Sequence, residues 1–184
     1  MDIQSITVDL LSAEQADDGV LLHLEALINR VYQIAEADFW QDDYLRTDVH
    51  ILREAIKKAE ILTASCEGEI VAGIHISPMS KRIGKFGMLA VLPKYEGFGI
   101  GRLLVKAAEA HAISLGCDRM RLDLLTPVKG QNEGKQQLHK WYTRLGYTFL
   151  RKMPFEKAVP SEAEFLKMPC FFNLYEKKLY RLPN

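Results

Sequence analysis

The sequence predicts one domain, spanning residues 1–184, of mixed α/β (α+β) class. Several short segments alternate apolar and polar residues as strands do, and several longer ones repeat apolar residues at helical spacing. Glycines lie at the turns between them. In chain order these segments predict β-α-α-β-β-β-α-β-α-β-α-β. With 184 residues, 48% of them hydrophobic, the chain is long enough to bury a sizeable core.

The first half of this order consists of a strand, two helices and a hairpin. Residues 6–11 alternate loosely, and residues 21–31 carry apolar side chains on one helical face. Thr47 is the expected cap of the second helix, with Asp48 in its first turn. Glu67-Gly68 then predicts a hairpin turn between the β-rich residues 61–66 and 70–76.

The second half places a glycine-rich loop between a strand and a long helix. Residues 85–91 predict the strand, and the helix runs from Gly99 to about Gly116, a residue type suited to a helix C-terminus. Residues 161–164 carry a capping-box pattern that predicts a further short helix. The other predicted elements are a strand at 120–125, a loop at 127–135, a helix at 138–145, and strands at 147–150 and 170–176.

Composition excludes several classes of function. Lys and Arg together number 24, as do Asp and Glu, so nothing indicates a nucleic-acid partner. No apolar run approaches the ~18 residues of a membrane span, and residues 1–4 lack the basic start of a signal peptide. These two observations predict a cytoplasmic protein with no membrane partner. Cys66, Cys117 and Cys170 form no CxxC pair, so we expect buried thiols and no metal site.

The most informative segment is residues 89–104, where an apolar run ends at Pro93 and glycines follow at 97, 99 and 101. Glycine tolerates φ > 0, and a helix N-terminus offers free N–H donors and a positive dipole. The pattern therefore indicates a cradle for phosphate or pyrophosphate. The alternative is a tight strand-to-helix turn that binds nothing.

Two familiar phosphate loops fit this segment poorly. A Walker loop needs Lys-Ser/Thr after its last glycine, where this chain has Arg102-Leu103. A dinucleotide fingerprint needs G-x-G-x-x-G in a repeated βαβ array, whereas this chain has G-x-G-x-G after a hairpin. Asp118 and Asp123 lie near the distance of the fingerprint's acidic residue, so a dinucleotide-dependent oxidoreductase stays open as a distant alternative.

Residues 91–104 resemble the acetyl-CoA motif of GNAT-type N-acetyltransferases, and residues 141–147 resemble that superfamily's aromatic-Tyr-x-x-x-Gly-aromatic motif. The resemblance covers nearly the whole chain. It implies a mixed, mostly antiparallel sheet of about seven strands flanked by helices. It also implies a V-shaped splay between the strand before the glycine loop and the strand after the following helix. The implied activity is acetyl transfer from acetyl-CoA to a primary amine of a small molecule or peptide.

The resemblance also assigns roles to individual residues. The backbone of Leu89, Ala90 and Val91 would pair with the pantetheine arm and hold the acetyl carbonyl. Tyr142 would stand beside the thioester sulfur and act as general acid for the departing thiolate, although it also suits a core aromatic. The expected cofactor-binding loop, which would hold the pyrophosphate, comprises Glu96, Gly97, Phe98, Gly99, Ile100, Gly101 and Arg102.

The chain departs from the family pattern at three positions. Glu96 stands where the motif has Gln or Arg, and Phe98 stands where Arg or Lys is frequent, so we expect weaker cofactor binding than is usual. The basic residues Lys94, Arg102 and Lys106 are candidates to compensate. The Asn that family members often carry seven residues before the Tyr is Lys135 here, and Asn132 is a candidate substitute.

The general base and the acceptor are less well defined by the sequence. Asp123 is the first candidate for a catalytic base, His75 is a weaker one, and direct deprotonation by water is also open. Residues 35–46 mix aromatic and acidic side chains, which suits a substrate-contacting loop and equally suits an aromatic-filled connector with a solvated acidic face. If they form a substrate loop, residues 38–43 would favour a cationic acceptor. A homodimer through the aromatic C-terminal strand is possible on this pattern. A non-catalytic acyl-CoA-binding sensor or interaction module is the main alternative function.

Overall fold

A computed structural model describes residues 6–180, and within them seven strands form one sheet in the order β1-β2-β3-β4-β5-β7-β6. All neighbouring strands are antiparallel except β4 and β5, which are parallel. This confirms the predicted fold class. The strands are β1 (Ile6–Leu10), β2 (Ile61–Cys66), β3 (Glu69–Pro78), β4 (Ile83–Val91), β5 (Arg119–Pro127), β6 (Thr148–Pro154) and β7 (Cys170–Lys178). The helices are α1 (Asp18–Ala35), α2 (Val49–Lys57), α3 (Ile100–Ser114), α4 (Glu133–Arg144) and α5 (Phe155–Ala158).

Helices cover both faces of the sheet, which is why most strands are rich in apolar residues. On one face, the buried apolar side chains of α1 and α2 pack with Met88 and Ala90 of β4. On the other, α3 packs with Phe86 of the same strand, and Leu89 and Val91 contact that cluster too. Strand β4 therefore contributes to two separate hydrophobic cores.

A β-bulge in β4 explains this division. Gly73 of β3 is opposite Ala90, but His75, only two residues later, is opposite Gly87, so β4 contains one extra residue between these pairs. Within that stretch Met88 has a φ of 47°, a conformation that L-residues other than Asn and Asp seldom adopt. Because one extra residue reverses the side-chain alternation, Phe86 and Met88 point to opposite faces despite their even spacing.

Strands β4 and β5 separate soon after they meet. Their parallel ladder contains three residue pairs, Ile83 with Arg119, Gly84 with Met120, and Lys85 with Arg121. From Phe86 onward the edge of β4 that faces β5 has no ladder partner, while β5 continues to pair with β7 as far as Pro127. The sheet therefore opens between β4 and β5, as the predicted splay requires.

The local predictions need four corrections. Asp48 caps α2, since its Oδ1 accepts from the Ile51 amide at 2.8 Å, whereas Thr47 lies before the cap and is buried. Helix α4 begins at Glu133, five residues before the predicted start, because Asn132 supplies an N-cap. The capping-box segment forms a 3₁₀ helix (Pro160–Phe165) without a side-chain cap, and β6 extends to Pro154.

All three cysteines are buried, as expected. Within residues 6–180, no helix has both the length and the hydropathy needed to cross a membrane. Residues 1–4, which contribute to the prediction of a cytoplasmic protein, lie outside the described part of the chain.

Candidate active site

A cavity of about 120 Å³ lies where β4 and β5 separate. Its lining comes from both strands, from α1 and from α4, so it reaches from one strand to the other across the open part of the sheet. Gly87, Met88 and Leu89 line the β4 side, and residues 122–125 line the β5 side. The bulge therefore lies in the cavity wall, next to the β4 edge that has no strand partner.

A short 3₁₀ helix (Pro93–Tyr95) joins β4 to the glycine loop, which leads into α3. Gly97 has a φ of 82° and Gly99 a φ of 80°, and Gly99 is the N-cap residue of α3 with no side-chain cap bond. A Cβ added at either glycine would meet nothing within 4 Å, so the loop is open on its outer side. Because the first amides of a helix have no intrahelical acceptor, those of residues 100–102 are available to an anion.

The rest of the predicted loop is largely accessible, apart from the buried Ile100. Glu96, Phe98 and Arg102 are exposed, as are Lys94 and Lys106. Gly101 lies against the indole of Trp141, since a Cβ there would come within 3.6 Å of Trp141 Cζ2. This contact joins the start of α3 to α4.

Tyr142 lies in α4 and lines the cavity between the strands. Its side chain is 7% exposed, and its ring neighbours include Phe86, with centroids 6.0 Å apart, and Trp141, at 4.9 Å. Within residues 6–180 no hydrogen bond of its hydroxyl is found, so the proton is available to a ligand. Burial raises the pKa of Tyr142 well above its ordinary value, and the nearby Tyr32 and Glu36 raise it further.

Asp123 lies across the cavity on β5, with its side chain 15% exposed. It forms an ion pair with Lys85 of β4, at the last residue pair before the strands separate. The structure thus brings Asp123, Leu89 and Tyr142 to the same cavity.

The two weaker candidates lie elsewhere. The imidazole of His75 is directed to Glu60, with Nε2 3.2 Å from the carboxylate, and is absent from the cavity lining. Asn132 caps α4 by accepting from the Lys135 amide at 3.0 Å, and its Nδ2 donates to Asp38 at 3.3 Å. Asn132 is therefore a helix cap and does not line the cavity that contains Tyr142.

The sequence analysis named Lys135 only as a departure from the family's Asn and gave it no role in the site. It is 5% exposed and donates to the carboxylate of Glu36, which is 6% exposed. The Trp40 indole also donates to Glu36, at 2.7 Å. Lys135, Leu138 and Tyr142 share one face of α4 because they are spaced by three and four residues, and all three line the cavity.

Helix α1 supplies the opposite wall, which the sequence analysis also missed. Asn29, Tyr32 and Glu36 follow the same three-and-four spacing and form a polar strip on a largely apolar helix. Asn29 is 7% exposed. Its position in an apolar run was the one indication in the sequence that it matters, because a buried amide needs specific partners. Those partners are the backbone groups of Arg46 and Thr47.

A second cavity, of about 290 Å³, adjoins the first on the α1 side. The two share Tyr32, Glu36 and Arg46 in their linings. Its other wall includes the stacked rings of Trp40 and Tyr44, whose centroids are 3.9 Å apart with an 8° tilt. The candidate substrate segment, residues 35–46, contributes seven residues to this lining: Glu36, Ala37, Trp40, Gln41, Asp42, Tyr44 and Arg46.

Comparison with known proteins agrees with the fold. The model of the acetyltransferase (GNAT) family matches residues 26–147, and no curated protein matches the chain. Among similar solved structures, the PaiA N-acetyltransferase from Thermoplasma acidophilum in complex with coenzyme A has a TM-score of 0.69 at 17% identity, over 95% of this chain and 99% of that one. An aminoglycoside 6'-N-acetyltransferase complexed with coenzyme A has a TM-score of 0.68 at 15% identity, over 97% of this chain and 99% of that one.

A third similar structure is longer than this protein. N-acetylglutamate synthase from Neisseria gonorrhoeae, complexed with coenzyme A and N-acetyl-glutamate, has a TM-score of 0.66 at 17% identity. The match covers 96% of this chain but 35% of the synthase chain. At these identities the structural matches establish the fold, while the family model covers about two thirds of the sequence. The chain belongs to the acetyltransferase (GNAT) family.

Proposed function

We propose that the protein transfers an acetyl group from acetyl-CoA to a primary amine of a small molecule or peptide. The observation that carries this proposal is the position of the Tyr142 hydroxyl, which lies unbonded in the cavity where β4 parts from β5. The unpaired edge of β4 borders the same cavity, and the glycine loop begins a few residues after the end of that strand.

The chain's residues fit acetyl-CoA in two respects. The open outer side of Gly97 and Gly99 leaves room for a pyrophosphate at the α3 amides. The unpaired edge of β4 would accept the amide groups of the pantetheine arm along Leu89, Ala90 and Val91, as an added strand does. The neighbours from Thermoplasma acidophilum and Neisseria gonorrhoeae were solved with coenzyme A, which supports this assignment.

Backbone groups would provide most of the pyrophosphate binding. Glu96 places a carboxylate beside the loop, and Phe98 adds no charge to it. The exposed Lys94, Arg102 and Lys106 offset the carboxylate. Since all of these side chains are exposed, their contributions are screened and small compared with those of oriented amides.

The reaction requires a neutral amine, a polarised carbonyl and a proton for the leaving group. The thioester of acetyl-CoA supplies the activated acetyl group. The β4 backbone at the bulge would donate to the acetyl oxygen, where negative charge develops. Tyr142 keeps its proton because burial raises its pKa, and this proton would pass to the departing sulfur. Asp123, which pairs with Lys85, would take the amine proton or orient the amine.

A binding measurement and a turnover measurement test this proposal together. We expect acetyl-CoA to bind in calorimetry and to raise the melting temperature, and CoA to be released when a panel of primary amines is added. Failure of acetyl-CoA to bind would contradict the proposal. Binding without turnover across a broad panel would instead favour the alternative of a non-catalytic acyl-CoA sensor, for which the exposed Glu96 and Phe98 are the motivating features.

A further inference from the structure

The acidic residues that line the two adjoining cavities all have cationic partners. Glu36 pairs with Lys135, Asp42 pairs with Lys167, and Asp123 pairs with Lys85. These carboxylates are therefore already neutralised before any acceptor enters. A cationic acceptor would have to compete with a lysine for each of them.

Arg46 is in the opposite situation. It lines both cavities, yet in residues 6–180 no carboxylate oxygen lies within 4.0 Å of its guanidinium. The carboxylates of Glu36 and Glu162 interact electrostatically with Arg46 from farther away. Each of them has a nearer partner. Glu36 is held by Lys135 and Trp40, and Glu162 accepts from the Tyr44 hydroxyl at 2.6 Å.

The guanidinium is held in place before any ligand binds. Asn29 Oδ1 accepts from the amides of Arg46 and Thr47, at 2.8 and 3.1 Å, and Asn29 Nδ2 donates to the Thr47 carbonyl at 2.9 Å. The ring of Tyr32 lies beneath the guanidinium, 5.0 Å from its centroid. The Tyr44 hydroxyl also interacts with the guanidinium. The other contacts use the backbone and one face of the guanidinium, so the N–H donors that Tyr44 does not engage stay available.

An anion at Arg46 would occupy a different place from one at the glycine loop. Arg46 follows α1, which packs on one face of the sheet, whereas the glycine loop leads into α3, which packs on the other. Arginine's planar fork matches a carboxylate, with which it forms paired hydrogen bonds.

We infer that Arg46 binds a carboxylate of the acceptor, so that the substrates are small primary amines that also carry a carboxylate, as amino acids do. This inference rests on the proposed acetyl transfer. The amine extends toward Asp123 and Tyr142, the carboxylate stays at Arg46 where the two cavities join, and the remainder of the molecule faces the Trp40–Tyr44 stack. An acceptor that carries a carboxylate replaces the cationic acceptor that the acidic residues 38–43 suggest in the sequence.

The test compares matched acceptors. Leucine, phenylalanine, methionine and glutamate are each assayed beside the corresponding α-carboxamide and the decarboxylated amine, by CoA release. For at least one of these side chains, we expect kcat/KM to be about tenfold or more higher for the free acid than for its two analogues. Equal or higher values for the analogues throughout would overturn the inference.

Variants at Arg46 provide the second arm. Arg46→Gln should raise KM for the free acids about tenfold while leaving kcat/KM for the analogues within about threefold, and Arg46→Lys should restore part of the preference. Arg53→Gln is the control, because Arg53 of α2 pairs with the exposed Asp18 at the start of α1 and lines neither cavity. A preference that survives in Arg46→Gln would overturn the inference, and if that variant does not fold, Arg46→Lys decides in its place.

Failure of the proposed function gives a different result. If no acceptor is turned over, saturation-transfer NMR with the same free acids still tests the subsite. Binding of at least one free acid to the wild type that is lost in Arg46→Gln would support the carboxylate site without acetyl transfer. No binding at millimolar concentration would overturn it.

Discussion

At the scale of single residues, Tyr142 is the position on which the proposed chemistry depends most. The motif predicts a tyrosine beside the reacting sulfur, and the structure places an unbonded hydroxyl in the cavity wall. Tyr147 is also buried, but its hydroxyl donates to Glu109 at 2.8 Å. The two tyrosines therefore form a matched pair, one with a free hydroxyl and one with a structural bond.

Replacing Tyr142 by Phe should lower kcat about a hundredfold or more, because the departing thiolate loses its proton donor. The affinity for acetyl-CoA should change less than about threefold, since the ring and its packing remain. Steady-state kinetics and calorimetry measure the two quantities. Tyr147→Phe serves as control and should keep kcat. A Tyr142→Phe enzyme with unchanged kcat would remove the assigned role.

The buried pair of Glu36 and Lys135 makes a second prediction at this scale. Lys135→Met should destabilise the fold by about 3–5 kcal/mol, because it leaves the Glu36 carboxylate buried without its cation. Adding Glu36→Gln should recover much of that loss, because the neutral amide can still accept from Trp40. Urea unfolding measures both changes.

An exposed ion pair gives the comparison. Lys57 and Glu54 lie on the outside of α2 with more than half of each side chain accessible. Lys57→Met should therefore have little measurable effect on the free energy of unfolding.

The double variant decides where the cost of Lys135→Met comes from. If Glu36→Gln with Lys135→Met is no more stable than Lys135→Met alone, the loss of stability does not come from the unpaired carboxylate.

At the scale of secondary-structure elements, the junction of β4, the glycine loop and α3 depends on backbone conformation more than on side chains. Gly99 begins α3 with a φ of 80°, and an added Cβ there would meet open space. Gly68, in the β2–β3 turn, has a φ of 85° and equally open surroundings. The two glycines thus have the same conformational demand, but only one belongs to the proposed cradle.

Alanine at either position should cost about 1–2 kcal/mol of stability, because a Cβ disfavours the left-handed region. Only Gly99→Ala should also weaken acetyl-CoA binding, by about tenfold, since relaxation of its φ redirects the α3 amides. Thermal unfolding and calorimetry separate the effects. Equal affinity in the two variants would show that the amides are not the anion site.

At the scale of the whole molecule, the buried tyrosines make stability depend on alkaline pH. Burial raises the pKa of Tyr142 and of Tyr147, and raises that of Tyr32 to about 12. Above pH 10 the unfolded chain therefore loses phenolic protons that the folded chain retains. The stabilisation from these protons is complete below pH 10 and is lost as the pH rises toward the folded-state pKa values.

The free energy of unfolding should thus fall above pH 10, by about 1.4 kcal/mol per pH unit for each fully buried tyrosine. Urea midpoints between pH 8 and 11.5 measure the slope, and tyrosinate absorbance reports ionisation directly. Tyr147→Phe should reduce the slope. Tyrosinate formation in the folded protein with a midpoint near pH 10 for every tyrosine would contradict this expectation.

The sequence by itself determined the order of the elements, the glycine loop and the candidacy of Tyr142. Each of these has a local signal: apolar periodicity, a glycine where φ must be positive, or an aromatic motif of seven consecutive residues at the end of a helix. Helix ends were less well determined. Helix α4 begins five residues before its predicted start, because the Asn132 cap starts a helix within a segment whose composition is typical of a loop.

Only the tertiary structure decided how the cavities are lined and charged. Glu36 and Lys135 are 99 residues apart in the chain, and their pairing depends on α1 and α4 meeting across the separated strands. The bulge at Met88 is likewise a property of pairing with β3, not of the local sequence. Arg46 stands out only once its neighbours are known, because a single arginine in a sequence carries no sign of whether a carboxylate lies beside it.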